Sequence, residues 1–181
     1  RDSIHVPIDY KNQRYTLIDT AGLRRKSRIA AKTVERYSVI RTLNSIMEAD
    51  VVLLMVDATE GLSDQDCKLI QYIEDLGRAF AIGLNKWDTL DQLQKKQVRE
   101  HLEFRLRNIN YVDVHTFSAL KGFGIDKIFG SVQQCYRATH QNMTTPKLTA
   151  LLLEAAEHHP PPMKNGRRIR LRYAHPAGSK P

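Results

Sequence analysis

Ile4, Val6, Ile8 and Tyr10 alternate with polar residues, and Lys11-Asn12-Gln13 then offers a turn before the run from Arg14 to Asp19. A period of two marks a strand with one covered face, so this stretch predicts an antiparallel hairpin with the second strand the more buried. From Val51 to Val56 the chain is continuously apolar, as expected of a strand covered on both faces. Leu69, Ile73 and Leu76 follow at i, i+4 and i+7, the spacing of one helix face. Beyond them the pattern predicts a strand over 79–84, a long helix over 91–107, a strand over 112–117 and a helix over 124–138. Residues 24–41 are strongly basic at first and turn helical through Tyr37, Ile40 and Leu43. Strands alternating with helices predict an α/β fold: a doubly wound, mostly parallel sheet, helices on both faces, with one antiparallel edge strand near the N-terminus.

A different organisation begins after Ala138. Residues 140–145 are polar and read as a linker, and Leu148, Leu151, Leu152 and Ala155 then make the face of a short helix that Pro160-Pro161-Pro162 stops. Arg167 to Tyr173 alternates basic and apolar residues, the pattern of a strand with one charged face. His158 and His159 read as a helix-end feature, since no carboxylate or cysteine joins them at ligand spacing. Two domains are expected, over 1–140 and 141–181.

Composition narrows the picture in three ways. With 181 residues and 41% hydrophobic content the chain can bury a real core, and no apolar run approaches the roughly 18 residues of a membrane span. The N-terminal stretch is polar, with no signal-peptide pattern. Two cysteines make no disulfide framework: Cys135 continues the helical stripe Ile125, Ile128, Phe129, Val132, and Cys67 shares a face with Ile70, so both are expected in the core and in a reducing cytoplasm. The net charge is +8, and residues 141–181 hold seven Lys/Arg against two Glu, a surplus of five. Such a tail suits nucleic acid through counterion release, or else is a solvated basic face.

Three short motifs fall at the carboxyl ends of predicted strands, where ligands bind in open α/β sheets. They are Asp19-Thr20-Ala21-Gly22, Asn85-Lys86-Trp87-Asp88 and Ser118-Ala119-Leu120. A carboxylate at Asp88 can accept both the N1–H and the exocyclic amine of guanine, whereas adenine lacks that donor pair and would leave a buried charge unsatisfied. Asn85 can tie neighbouring loops or bond the base, the Lys86 stem can lie against a ring face, and the N–H groups of Ala119 and Leu120 can meet the guanine carbonyl. The bland alternatives are a tight Asx turn at Asp19 and a helix N-cap at Asn85 to Asp88. A phosphate loop of the form Gly-x-x-x-x-Gly-Lys-Ser/Thr is missing, because eighteen residues precede Asp19 and the first glycine is Gly22.

Together these residues resemble a translation-factor-type GTPase, specifically the second GTPase domain of the Der (EngA) family with the start of its C-terminal KH-like domain. The resemblance is carried by Arg1-Asp2-Ser3-Ile4, by Leu17 to Arg25, by Val34-Glu35-Arg36-Tyr37-Ser38-Val39 and by Asp57 to Asp66. Asn85-Lys86-Trp87-Asp88, Phe104-Arg105-Leu106, Arg167-Arg168 and Leu171 to His175 extend it over essentially the whole chain. It implies a P-loop-GTPase-type sheet, here without its N-terminal strand and phosphate loop, followed by a truncated α+β KH-like piece that has no Gly-x-x-Gly loop.

The resemblance also implies roles. Asp19 would hold Mg²⁺ through water, the Gly22 N–H would sense the γ-phosphate, and Thr20, Ala21 and Leu23 would complete the second switch, with Arg24, Arg25, Lys26 and Arg28 reordering between nucleotide states. Leu23 departs from the Ras-like pattern, where a glutamine orients the attacking water; here phosphate-loop groups, a monovalent cation or a partner must do so, and no catalytic base is assigned. Arg167, Arg168, Arg170 and Arg172 suit rRNA contact. The implied function is a GTP-binding and GTP-hydrolysing switch, with GTP/GDP and Mg²⁺, that acts as a cytoplasmic monomer in large-subunit ribosome assembly. Its partners would be the large subunit, its rRNA and other domains of the same protein. This chain alone is expected to be inactive for want of the phosphate loop. The alternative is a non-hydrolysing RNA- or ribosome-binding module on a GTPase scaffold.

Overall fold

The structure, a computed structural model, describes residues 4–19, 42–141, 143–164 and 166–176, with Ile4 and Asp19 described by their backbones alone. The chain divides into two compact units, Arg1–Tyr136 and Arg137–Pro181.

In the first unit β1 (Ile4–Tyr10) and β2 (Gln13–Asp19) pair antiparallel from Ile4↔Asp19 to Tyr10↔Gln13. Their two-residue turn takes Lys11 to φ 48° and Asn12 to φ 62°, the left-handed pair that matches the twist of a hairpin. Two expectations change here. The hairpin is a sheet of its own rather than an edge of the larger one, and β2 is no more buried than β1. A two-stranded ribbon has one face to cover, and here Tyr10 and Tyr15 cover it by packing on Phe129 at 4.0 and 5.1 Å, while the cross-strand pair Val6 and Leu17 stays exposed.

The main sheet has three parallel strands in the order β3 (Val51–Asp57), β4 (Ala79–Asn85) and β5 (Val114–Thr116). Residues 42–48 form α1, followed by α2 (Asp64–Asp75), α3 (Gln92–Arg105) and α4 (Ile125–Thr139). The strand covered on both faces is β4, whose residues Phe80 to Leu84 are all buried. That correction to β3 lies on the second face: Gly83 of β4 is covered by Phe117 and Ile128, whereas Met55, its partner on β3, is 49% exposed.

On one face of the sheet Leu54, Val56, Ile82 and Leu84 pack with Ile70 and Ile73 of α2 and Leu102 of α3. On the other, Gly83 lies against Phe117 and Ile128 of α4. Burying each such aliphatic side chain contributes about 1.5–3 kcal/mol. Cys67 and Cys135 are half-buried rather than core, and burial pushes the Cys135 thiol up.

Caps set the helix starts. Ser63 accepts the Asp66 N–H while Asp66 accepts the Ser63 N–H, and Asp91 and Gln94 do the same for α3. The Ser63/Asp66 box gives a structural reason for the Ser-Asp-Gln-Asp segment at 63–66. β5 is shorter than its apolar pattern, but single bonds continue its line on either side, from Ile82 N–H to Asp113 O and from Phe117 N–H to Leu84 O.

In the second unit α5 (Thr145–His158) ends with His159 as C-cap, its N–H donating to Ala155 O. Leu148, Thr149, Leu152 and Ala156 are half-buried, whereas Leu151 and Leu153 are exposed, so the covered face is rotated from the one the leucines predict. Thr149 Oγ1 both donates to Ala174 O and accepts its N–H at 3.1 Å, which competes with any regular ladder there. The strand predicted over Arg167–Tyr173 is absent: a single bridge joins Lys164 to Arg167, and among the described residues no strand lies alongside to pair with the rest.

Candidate functional site

β3 and β4 end in register, Asp57 opposite Asn85, and the Ala58 N–H donates to Asn85 O at 2.9 Å, so the two loops leave the sheet tied together. Asn85 then serves as the hub. Its Oδ1 accepts the Lys86 N–H at 2.8 Å and the Ala119 N–H at 3.0 Å, drawing the loops after β4 and β5 to one point. Thus one of the two N–H groups expected for the guanine carbonyl, that of Ala119, is engaged by Asn85, while Leu120 is 91% exposed.

Lys86 adopts a left-handed backbone with φ 63°, and a single 3₁₀ turn over Trp87–Thr89 follows. The turn is pinned from below by Trp87, buried in the core, with its N–H donating to Phe117 O at 3.2 Å and the Arg99 guanidinium 5.5 Å above its ring. Trp87 therefore anchors the loop, and the turn aims Asp88 at the loop after β5. There the Asp88 carboxylate lies 3.4 Å from Lys121 Nζ. The buried Ser118 hydroxyl, ahead of Lys121, holds the Asp88 carboxyl below the usual carboxylate range. Ser118 Oγ also accepts the Lys121 N–H, and the Ser118 backbone bridges Phe123, which closes the loop into a tight turn.

On the other side Lys86 Nζ reaches the Asp57 carboxylate at 2.5 Å. Burial would raise the Asp57 carboxyl, but Lys86 and Thr59 outweigh it and hold it below its usual range. Motif reading misses Asp57 and Lys121 as site residues; the signals for them are a carboxylate ending an apolar strand and a lysine three residues after Ser118. Thr20, Ala21, Gly22, Leu23 and the basic stretch Arg24 to Arg28 lie outside the described residues. Asp19 ends β2 with only its backbone described, so Mg²⁺ binding there rests on sequence alone. Among the described residues no cluster of three His, Cys, Asp or Glu could hold a metal ion, and no helix is long and apolar enough to cross a membrane. Arg167, Arg168, Arg170 and Arg172 lie in the second unit, all exposed.

What these loops can offer a guanine is the Asp88 carboxylate, held below its usual range, the Lys86 stem on the side of Asp57, and the exposed Leu120, the Ala119 N–H being taken by Asn85. Residues 1–86 match the family described as 50S ribosome-binding GTPase, and residues 142–181 the KH-domain-like region of EngA bacterial GTPase enzymes, C-terminal. GTPase Der of Pasteurella multocida is 48% identical over all 181 residues, as is that of Haemophilus influenzae. The chain spans about a third of the length of these relatives, 35% and 36%. Among solved structures, Era in complex with MgGDPNP and nucleotides 1506–1542 of 16S ribosomal RNA superposes with a TM-score of 0.62 at 24% identity, over 75% of this chain and 44% of that one. A probable GTP-binding protein engB gives 0.56 at 20% identity, over 74% and 82%. These likenesses confirm the P-loop-GTPase-type α/β fold. With matches along its whole length and to both family regions, the chain belongs to the GTPase Der (EngA) family.

Proposed function

We propose that this chain is the guanine-reading part of a GTP-binding and GTP-hydrolysing switch that acts in assembly of the large ribosomal subunit. The observation that carries the reading is the hub at Asn85, whose Oδ1 ties the loop that holds Lys86 and Asp88 to the Ser118-Ala119-Leu120 loop, with the Asp88 carboxylate facing that loop. Asp88 accepts the two guanine N–H donors, Lys86 lies along a ring face, Trp87 anchors the loop and the 118–120 loop faces the guanine carbonyl. Asp19 to Leu23 supply the phosphate-side switch, with Mg²⁺ held through water by Asp19. Bound nucleotide supplies the γ-phosphate whose presence or loss biases the switch; a monovalent cation is a candidate for positioning the attacking water.

Residues 1–140 form the nucleotide domain and 141–181 the beginning of a KH-like domain, with Arg167, Arg168, Arg170 and Arg172 meeting rRNA. The names and families of the relatives support a cytoplasmic, ribosome-directed role, and in this reading the protein is a monomer whose partners include the large subunit, its rRNA and other domains of the same protein. Base reading is tested in the full-length protein by Asp88→Asn: exchanging the carboxylate for an amide should move preference from GDP toward XDP, and an unchanged GDP preference sinks the assignment. Turnover is tested separately by release of inorganic phosphate from GTP with Mg²⁺; binding without turnover would favour the non-hydrolysing module.

A further inference from the structure

Asp57 carries no role in the base-reading motifs, yet both of its carboxylate oxygens and its backbone oxygen are engaged. Its Oδ1 accepts the Thr59 N–H at 2.9 Å and the Thr59 hydroxyl at 2.7 Å, and its backbone oxygen accepts the N–H groups of Glu60 and Gly61 at 3.1 and 3.0 Å. The other carboxylate oxygen takes Lys86 Nζ. Lys86 is fixed at its backbone end as well, because its N–H donates to Asn85 Oδ1 and its carbonyl accepts both the N–H and the hydroxyl of Thr89. A four-carbon stem pinned at both ends crosses the carboxyl edge of the sheet from β4 to β3. Asp88 turns the opposite way, toward β5.

We propose that Asp57 is a positioning residue for the nucleotide base: by holding the Lys86 ammonium it lays the lysine stem as a fixed apolar rail on which the ring rests. The inference rests on the guanine reading above. A flexible lysine loses about 1.5–2 kcal/mol of rotamer freedom when ordered, and a preset ion pair removes much of that loss from the binding step. The rail touches the ring face, which all purines share, whereas Asp88 reads the edge that distinguishes guanine. Asp57 therefore governs how tightly a base is held without governing which base is chosen.

The test uses the full-length protein and fluorescent GDP and XDP with Mg²⁺. Asp57→Asn keeps an oxygen for Thr59 and replaces the one facing Lys86 by an amide; Lys86→Met keeps the stem and removes its charge. Each is expected to weaken GDP roughly five- to tenfold, and the double variant no more than the weaker single, because contacting residues that act through one another are not additive. The GDP-to-XDP ratio should stay as in the unsubstituted protein, and Asp57→Glu should recover part of the loss. Unchanged GDP affinity in Asp57→Asn, multiplicative losses in the double variant, or a shifted base preference would each overturn the proposal. If Asp57→Asn unfolds, Lys86→Met with Asp57 intact still decides it, since normal affinity there removes the rail. Failure of the unsubstituted protein to bind GDP overturns the nucleotide reading itself, and this inference with it.

Discussion

Asn85 Oδ1 accepts the backbone N–H of Ala119 at 3.0 Å across 34 residues of sequence, and that bond joins the loop after β4 to the loop after β5. Replacing Asn85 by Ala leaves two N–H groups, those of Lys86 and Ala119, without their acceptor. The expected cost is about 1–3 kcal/mol in urea unfolding. Asn85→Asp keeps an oxygen at the hub and should cost less stability than Asn85→Ala.

Ser118 has a second, electrostatic consequence. Its hydroxyl is the main cause that depresses the Asp88 carboxyl, with Lys121 adding to it. A carboxyl depressed in the folded state contributes stability above its unfolded pKa, and that contribution is lost as pH falls through the folded value. GDP affinity should accordingly stay level as pH is lowered through the ordinary carboxylate range, and fall only below it. Ser118→Ala should shift the acid limb of a GDP-affinity profile to higher pH. An acid limb that does not move would show that the hydroxyl does not set the charge of Asp88.

Gly124 takes φ +79°, and a Cβ there would lie 2.5 Å from Thr116 O and 2.9 Å from Phe117 Cβ. Both atoms belong to the stretch of chain that leads from β5 into the 118–120 loop. Gly124→Ala is expected to cost about 2–3 kcal/mol, combining a left-handed backbone with a steric overlap that flexible side chains cannot relieve. Gly122→Ala is the control, since it shares the positive φ of +73° but meets nothing within 4 Å, and about 1 kcal/mol is expected. Thermal unfolding of the two variants side by side measures the difference.

Much of this arrangement is legible in the sequence, for identifiable reasons. The apolar run at Val51 to Val56, which is the body of β3, and the four-residue motif at Asn85, which stands at the carboxyl end of β4, are local signals. The 3.6-residue stripes of α2 and α4 are equally local. What escapes is relational. Apolarity alone cannot tell that β4 rather than β3 is the central strand, because that depends on which strands flank it. The Lys86–Asp57 pair spans 29 positions and belongs to no contiguous motif. Alternation at Arg167 to Tyr173 promises a strand, but alternation supplies only a candidate face and pairing needs a neighbour.

The exposed arginines of the second unit make a prediction that does not depend on the base site. Arg167, Arg168, Arg170 and Arg172 fall within six residues, outside regular secondary structure apart from the bridge at Arg167, so their side chains can follow an irregular backbone of phosphates. Each phosphate neutralised releases condensed counterions and adds roughly 0.7–0.9 to the slope of log affinity against log salt concentration. In the full-length protein, changing all four to Gln should lower rRNA affinity most at low salt and flatten the slope by about 0.7–0.9 for every phosphate no longer neutralised. GDP affinity should remain unchanged, because none of the four belongs to the loops at the carboxyl edge of the sheet. If the slope is the same after substitution, these residues form a solvated basic face rather than a phosphate-binding one.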